Sequence, residues 1–264
     1  MRRLALVFLA LFAAAACAQS QPAAGDQLVL GAIYPLSGPQ SQGGKEELGG
    51  VQAALRLAHA NVRLQVIDAT TPQQAAAAVD TLVRHYQVPA IVGTYGSTLS
   101  AAASARAEQL KTVYWETGAV ADPITAHRQY VFRTVATGSS LGRMAVTFTH
   151  DVLVPRDNIA SPRAVIVKVD DIYGDSVGGG EEALAGSMGI DVVDVIGYNA
   201  SAFDPNVIAA RVAEDRPDFL YDVSYLDDGV AIWNAILQQH LALKGAIGTS
   251  SAFCMPAFSA RVGS

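Results

Sequence analysis

Cysteine is scarce in this chain, and its scarcity excludes a disulfide-built architecture. Only Cys17 and Cys254 occur among the 264 residues, so the several bridges that hold small secreted domains together cannot form. The two thiols and five histidines also lack the close Cys/His spacing of a zinc site. We therefore expect no metal and no cofactor.

Clusters of positive charge are missing as well. The formal net charge is -6, from 18 Lys and Arg against 24 Asp and Glu, and no basic cluster follows the first three residues. Binding to DNA or RNA requires concentrated Lys and Arg that neutralise phosphates. We expect no nucleic-acid partner.

The usual motifs of nucleotide-binding proteins and serine hydrolases are absent too. No G-x-x-x-x-G-K-[ST] occurs, and the first strand pattern runs into "YPLSGPQSQGG" without a G-x-G-x-x-G. Ser97 follows a strand pattern, but Gly96 directly precedes it and Leu99 stands where a nucleophile elbow G-x-S-x-G has its second glycine. We expect a protein that is not an enzyme.

The longest apolar run lies at the N-terminus and is too short for a membrane span. Arg2 and Arg3 precede "LALVFLALFAAAA", whereas a spanning helix needs roughly 20 apolar residues. The order of charged, apolar and small residues predicts a secretory signal with linker over residues 1–25, and a periplasmic or extracytoplasmic location. "AAAC" resembles a lipoprotein cleavage box, so two outcomes stay open: membrane contact through a lipid on Cys17, or a free periplasmic protein.

The rest of the chain alternates strand-like apolar runs with helical patterns in two series. This rhythm predicts an α/β fold with two parallel-sheet lobes. We place the lobes at residues 26–136 and 137–248. Ligands of such sheets bind at the carboxyl ends of strands.

The stretch "GTYGST" at one such strand end suggests a binding loop. Hydroxyl groups and free backbone N–H groups at a helix N-terminus favour an anion or a carbonyl oxygen. The structural alternative is that Ser97 or Thr98 only caps its own helix. From the residues alone, both interpretations stand.

Five segments in order resemble the branched-chain amino acid binding proteins, which are type I periplasmic substrate-binding proteins of ABC transporters. They read "GAIYPLSGPQSQGG", "VPAIVGTYGSTLSAAAS", "ETGAVADPIT" followed by "YVFRT", "AVIVKVDDIYGDS" and "PDFLYDVSYLDDGVAIWNAI". The resemblance implies a receptor with a ligand cleft between its two lobes, which closes on a small molecule and delivers it to an ABC permease in the membrane. A ligand-sensing domain of a receptor or regulator with the same fold is the alternative.

The resemblance also implies which residues bind. The residues that match the family's ligand contacts are Ser97, Thr98, Gly118, Ala119, Val120, Tyr173, Tyr225 and Ser250. Val120 stands where relatives have a threonine hydroxyl, and Ser250 lies near the place of a carboxylate that pairs with an amino acid's ammonium. A zwitterionic ligand is thus disfavoured, unless Glu116 supplies the missing negative charge. The simpler expectation is that the Glu116 carboxylate is solvated. Relatives return to the first lobe and continue beyond "SSAFCMPAF", so we expect residues 249–264 to begin this return and the C-terminal part of the fold to be missing.

Overall fold

The computed structural model describes residues 27–263. The predicted signal segment and Cys17 lie outside the described residues. Within residues 27–263, every helix is too short or too polar to cross a bilayer.

The first lobe is a five-stranded parallel sheet with strand order β2-β1-β3-β4-β5. A π-helical turn at Thr81–His85 extends its second helix. Its elements in chain order are β1 (Leu28–Tyr34), α1 (Ser41–Leu57), β2 (Val62–Asp68), α2 (Pro72–Asp80), β3 (Ala90–Gly93), α3 (Ser97–Gln109), β4 (Val113–Glu116) and β5 (Val131–Arg133).

Alternation along the strands decides which side chains enter the core of this lobe. Ile33, Ile91, Tyr114 and Val131 are buried in one cluster with residues of α2 and α3. α2 begins at Pro72, as its sequence predicts, because the missing N–H of proline costs nothing in the first turn.

On the opposite face of this sheet, Leu48 and Val51 of α1 cluster with residues of β1, β2 and β3. Trp115 on β4 and Phe132 on β5 are 41% and 45% exposed, and their rings stack at 5.9 Å. Parallel sheets usually bury both faces, so an apolar surface lies uncovered over these two strands.

The second lobe is a four-stranded parallel sheet with strand order β7-β6-β8-β9. Its core is rich in branched aliphatic residues because these strands are sandwiched between helices. Its elements in chain order are α4 (Gly138–Phe148), α5 (Val154–Asp157), β6 (Arg163–Val169), α6 (Ile172–Ala185), β7 (Asp191–Tyr198), α7 (Pro205–Asp215), β8 (Phe219–Val223), α8 (Leu226–Gln238) and β9 (Gly245–Gly248).

The chain passes between the lobes after β5 and enters α4, which packs against α6. Hydrogen bonds join the first lobe to the start of α4 and to α6: Gly138 N donates to Val120 O at 2.7 Å, and Asp122 N donates to Ser176 Oγ of α6 at 3.1 Å. The lobes therefore meet directly beside the loop that follows β4.

The C-terminal segment contains a 3₁₀ turn, Ser251–Cys254, and a short helix α9, Pro256–Val262. The resemblance predicts that this segment returns toward the first lobe. In the structure it packs against α8 of the second lobe, because Met255 and Phe258 are buried in a cluster with Leu226 and Val230. It touches the first lobe at Tyr95.

Candidate ligand-binding site

A cavity of about 220 Å³ lies between the lobes. Ligand pockets for drug-sized molecules hold about 300–1,000 Å³, so this cavity suits a smaller molecule. It is placed where the carboxyl ends of strands from both sheets meet, as expected for this class of fold. The lining residues are Gly43, Glu46, Glu47, Tyr95, Ser97, Gly118, Ala119, Val120, Tyr173, Tyr225, Ser250, Ser251, Cys254 and Met255.

Ser97 stands at the first turn of α3 and faces this cavity. The N-cap of α3 is Gly96 and no side chain caps the helix, so the interpretation that Ser97 or Thr98 serves as its cap does not hold. Ser97 is 2% exposed, and its Oγ accepts a hydrogen bond from Ala121 N at 3.3 Å. The start of α3 thus presents a hydroxyl and uncapped amides, which together favour an oxygen-bearing ligand group.

Thr98 is the one predicted site residue of the described chain that lies outside the cavity. It is exposed and lines a separate depression with Pro35 and Ser37. An α-helix completes one turn in every 3.6 residues, so side chains of neighbouring residues point about 100° apart. With Ser97 turned into the cavity, Thr98 points to the neighbouring depression instead.

The loop Gly118–Val120 forms the next part of the wall, and Glu116 holds it. One carboxylate oxygen of Glu116 accepts hydrogen bonds from Gly118 N at 2.9 Å and from Ala119 N at 2.7 Å. The other accepts from the hydroxyls of Ser100 and Tyr114. Glu116 is fully buried and does not line the cavity. Both expectations for Glu116, a solvated carboxylate or the ligand's countercharge, are therefore wrong.

Burial also changes the acidity of Glu116. It raises the pKa of Glu116 to about 7, against the opposing hydrogen bonds from Ser100, Gly118 and Ala119. A carboxylate that accepts several N–H and O–H groups remains useful as an anchor because each donor favours its ionised form. Glu116 acts as a support for the loop.

Val120 joins the two lobes at this loop. Its side chain is 5% exposed and packs in the core of the second lobe, while its carbonyl accepts hydrogen bonds from Arg133 Nη1 at 2.8 Å and from Gly138 N. Where the resemblance expects a hydroxyl, the cavity has an aliphatic surface. The loop therefore offers fewer polar contacts than the family pattern implies.

Two tyrosines of the second lobe line the other side. Tyr173 donates its hydroxyl to Thr249 O at 2.6 Å, and Tyr225 donates to Asp171 Oδ2 at 2.9 Å. Their ring centroids are 5.2 Å apart. Because both hydroxyls donate to protein groups, the rings are fixed in place at the carboxyl end of the second sheet.

Ser250 reaches the cavity from the loop after β9. Its backbone has φ 68° and ψ -168°, a conformation that costs a non-glycine residue about 1–3 kcal/mol and is found at ligand-binding sites.

Two buried carboxyl groups, Glu181 and Asp222, lie beneath this loop. Thr249 Oγ1 donates to Glu181 Oε1 at 3.2 Å, and Glu181 and Asp222 are 0% and 1% exposed. Burial raises the pKa of both groups, that of Asp222 to about 8.

The structure adds lining residues that the sequence did not identify. Tyr95 of the first lobe shares a hydrogen bond with Ser251 Oγ at 2.6 Å and contacts Met255 Sδ at 3.7 Å, so it bridges the lobes. Gly43 makes room for this tyrosine, because a Cβ at Gly43 would lie 2.3 Å from its ring. Gly43 belongs to the segment "SGPQSQGG", which resembles the family, but no local pattern in the sequence indicates that Tyr95 packs on this glycine.

Glu47 on α1 is another residue that sequence reasoning missed. Thr117 Oγ1 donates to Glu47 Oε2 at 3.3 Å, and Thr117 in turn shares a hydrogen bond with Tyr34 at 2.9 Å. Burial, with a contribution from the nearby Glu116, raises the pKa of Glu47 to about 8. Gly118 allows the close approach, because a Cβ there would fall 1.5 Å from Glu47 Oε1. The cavity thus contains a carboxyl group on its first-lobe side.

Metal binding has no support in the part of the chain that the structure describes. No group of three or more His, Cys, Asp or Glu side chains between residues 27 and 263 is arranged to hold an ion.

Comparison with known proteins identifies relatives of this chain. A relative, Leu/Ile/Val-binding protein homolog 8 of Brucella abortus (strain 2308), is 31% identical over 210 residues, which are 76% of this chain and 52% of the relative. The chain thus spans about half the length of this curated relative.

Two solved structures show the same fold. The substrate-binding protein LivJ of Streptococcus pneumoniae, in complex with isoleucine, has a TM-score of 0.75 at 19% identity over 90% of this chain and 68% of its own. A solute-binding protein of an ABC transporter from R. palustris, in complex with 4-hydroxybenzoate, has a TM-score of 0.79 at 17% identity over 90% of this chain and 65% of its own.

The predicted fold class, two parallel-sheet lobes of the type I periplasmic binding proteins, is confirmed by these structures. A family model described as periplasmic binding protein matches residues 27–255. The chain belongs to the periplasmic binding protein family.

Proposed function

We propose that the chain is the extracytoplasmic solute-binding receptor of an ABC importer. It binds a small polar molecule, such as an amino acid, an amide, a urea or a small carboxylate, and delivers it to a permease in the membrane. The observation that carries this proposal is the cavity of about 220 Å³ between the two lobes, with the uncapped start of α3 in its wall. Family membership supports the same role.

The mechanism is closure of the lobes without covalent chemistry. Ser97 and the loop Gly118–Val120 belong to one lobe, and Tyr173, Tyr225 and Ser250 to the other. A ligand that touches both groups binds the closed arrangement more tightly than the open one, and so shifts the population toward it. A permease that binds only the closed arrangement then takes up loaded receptors.

A paired substitution tests the binding site. We expect one class from a panel of amino acids, amides, ureas and aromatic carboxylates to raise the melting temperature and to give a Kd by titration calorimetry. Ser97→Ala should weaken that Kd about 10-fold or more, because a hydrogen bond to a charged group contributes about 1.5–3 kcal/mol.

Thr98→Ala is the matched control, since this neighbouring hydroxyl lies outside the cavity. It should leave the Kd unchanged. Equal affinities of both variants and the parent chain would refute the role of Ser97, and a panel without any binder would refute the receptor proposal. The importer role is tested by uptake of the labelled ligand, which should be lost in cells without the gene; a sensor would leave uptake intact.

A further inference from the structure

The charges and rings around the cavity indicate more about its ligand. We propose that the cavity recognises a positively charged nitrogen, with Glu47 as its countercharge and Tyr95, Tyr173 and Tyr225 as its aromatic wall. This inference rests on the proposed function and specifies the class of ligand for the same site.

The charge of the lining is of one sign. Glu46 and Glu47 both line the cavity, and its lining includes no Lys, Arg or His. Arg133 lies on β5 near the loop wall, but its two terminal nitrogens already donate to Val120 O and Ala121 O at 2.8 Å each. A purely anionic ligand would thus meet carboxyl groups without a free cation, whereas a cationic ligand meets its complement.

Glu47 is placed to serve as that complement. Among the described residues, the hydrogen bond it receives comes from Thr117 and reaches Oε2 at 3.3 Å. Oε1 lies over Gly118, where no side chain intervenes. Glu47 itself lines the cavity, and the bond to Thr117 orients its carboxyl group.

The groups that face Glu47 leave its charge uncompensated. Glu46 neighbours it on α1, Glu116 lies on β4, Tyr34 on β1 and Tyr95 on the loop after β3. None of these groups carries positive charge. A desolvated carboxylate without a partner is costly, so a cation that enters the cavity stabilises the ionised form of Glu47.

Three aromatic rings complete the arrangement. The ring centroids of Tyr95 and Tyr225 are 6.2 Å apart, and those of Tyr173 and Tyr225 are 5.2 Å apart. The hydroxyl of each ring is hydrogen-bonded to Ser251, Asp171 or Thr249. Aromatic rings grouped beside a carboxylate attract ammonium groups through their negative faces.

Proton linkage follows from the same geometry. The pKa of Glu47 is raised to about 8, so the empty site is mostly protonated at pH 6. A cation binds the ionised form, and its affinity should increase as pH rises from 6 toward 8. Alkylammonium groups keep their charge in this range because their pKa is about 10.4. Binding at pH 7 should therefore release protons to the buffer.

Three pairs of probes, alike in shape and different in charge, test the proposal by titration calorimetry. They are glycine betaine with 3,3-dimethylbutanoate, choline with 3,3-dimethylbutan-1-ol, and leucine with 4-methylpentanoate. We expect the cationic member of at least one pair to bind about tenfold or more tightly than its partner, in line with a cation that gains both a carboxylate and aromatic contacts. Its affinity should rise between pH 6 and pH 8.

Glu47→Gln should remove this preference and its pH dependence, and Glu214→Gln, an exposed carboxylate on α7, is the matched control that should keep both. Melting curves without ligand show whether the variant is folded; if it is not, the pH dependence of the parent chain decides. Equal or tighter binding of the partners that lack the cationic nitrogen, or a preference that survives Glu47→Gln, overturns the inference and leaves the receptor role intact. Failure of every probe and of the wider panel overturns the receptor role itself.

Discussion

Asp222 offers the sharpest test of how burial controls the stability of the second lobe. It lies on β8 and is 1% exposed. Burial raises its pKa to about 8, the neighbouring Ser224 hydroxyl lowers it by a smaller amount, and Asp228 raises it again. Unfolding exposes the carboxyl group to water, where its pKa is about 3.9. We predict that Asp222→Asn stabilises the protein at pH 8 and not at pH 4.

The sign follows from proton binding. Between pH 4 and pH 8 the folded protein holds a proton on Asp222 that the unfolded chain releases, so the free energy of unfolding falls as pH rises through this window. Each pH unit across it corresponds to about 1.36 kcal/mol, which sets an upper bound of about 5 kcal/mol over the whole interval. The amide that Asp222→Asn introduces does not ionise, so the variant should lack this loss.

Urea unfolding at pH 5, 6, 7 and 8 measures the effect, with Trp233 fluorescence reporting on the second lobe. Trp115 of the first lobe can be replaced by Phe in all chains to isolate that signal. The advantage of Asp222→Asn over the parent should grow by about 1 kcal/mol or more per pH unit. Asp191→Asn, an exposed carboxylate, is the control and should show no such trend. A constant difference between Asp222→Asn and the parent across the four pH values would refute the reasoning.

Two further substitutions probe the cavity wall. Glu116→Ala leaves the amides of Gly118 and Ala119 without their acceptor, so it should lower the free energy of unfolding by about 2–4 kcal/mol and weaken ligand binding. Urea unfolding measures the first effect and calorimetry the second. An unchanged Kd would show that the loop keeps its shape without Glu116. Ser250→Gly removes the strain of a positive φ but adds freedom to the unfolded chain, so the net gain should be about 0.5–2 kcal/mol. A lower melting temperature for Ser250→Gly would contradict that account.

Local patterns predicted the strands and helices well because they depend on neighbours in the chain. The strand-like run "DVVDVIGY" coincides with β7, Asp191–Tyr198, and Pro72 stands in the first turn of α2. Two of the predicted site residues show the limits of such patterns. Ser97 lines the cavity and Thr98 does not, because the direction of each side chain depends on the helix phase relative to the other lobe.

The sequence by itself determined the alternation of strands and helices, the two-lobe class, and a serine at the start of the helix after β3. The hydrophobic period, the placement of glycine and proline, and the ordered segments that resemble the family suffice for these predictions. Only the tertiary structure decided which carboxyl groups line the cavity. Strand alternation turns Glu116 inward beneath its loop, while the packing of α1 over Gly118 brings Glu47 into the cavity. Contacts between residues far apart in the chain make that choice, and no local pattern encodes them.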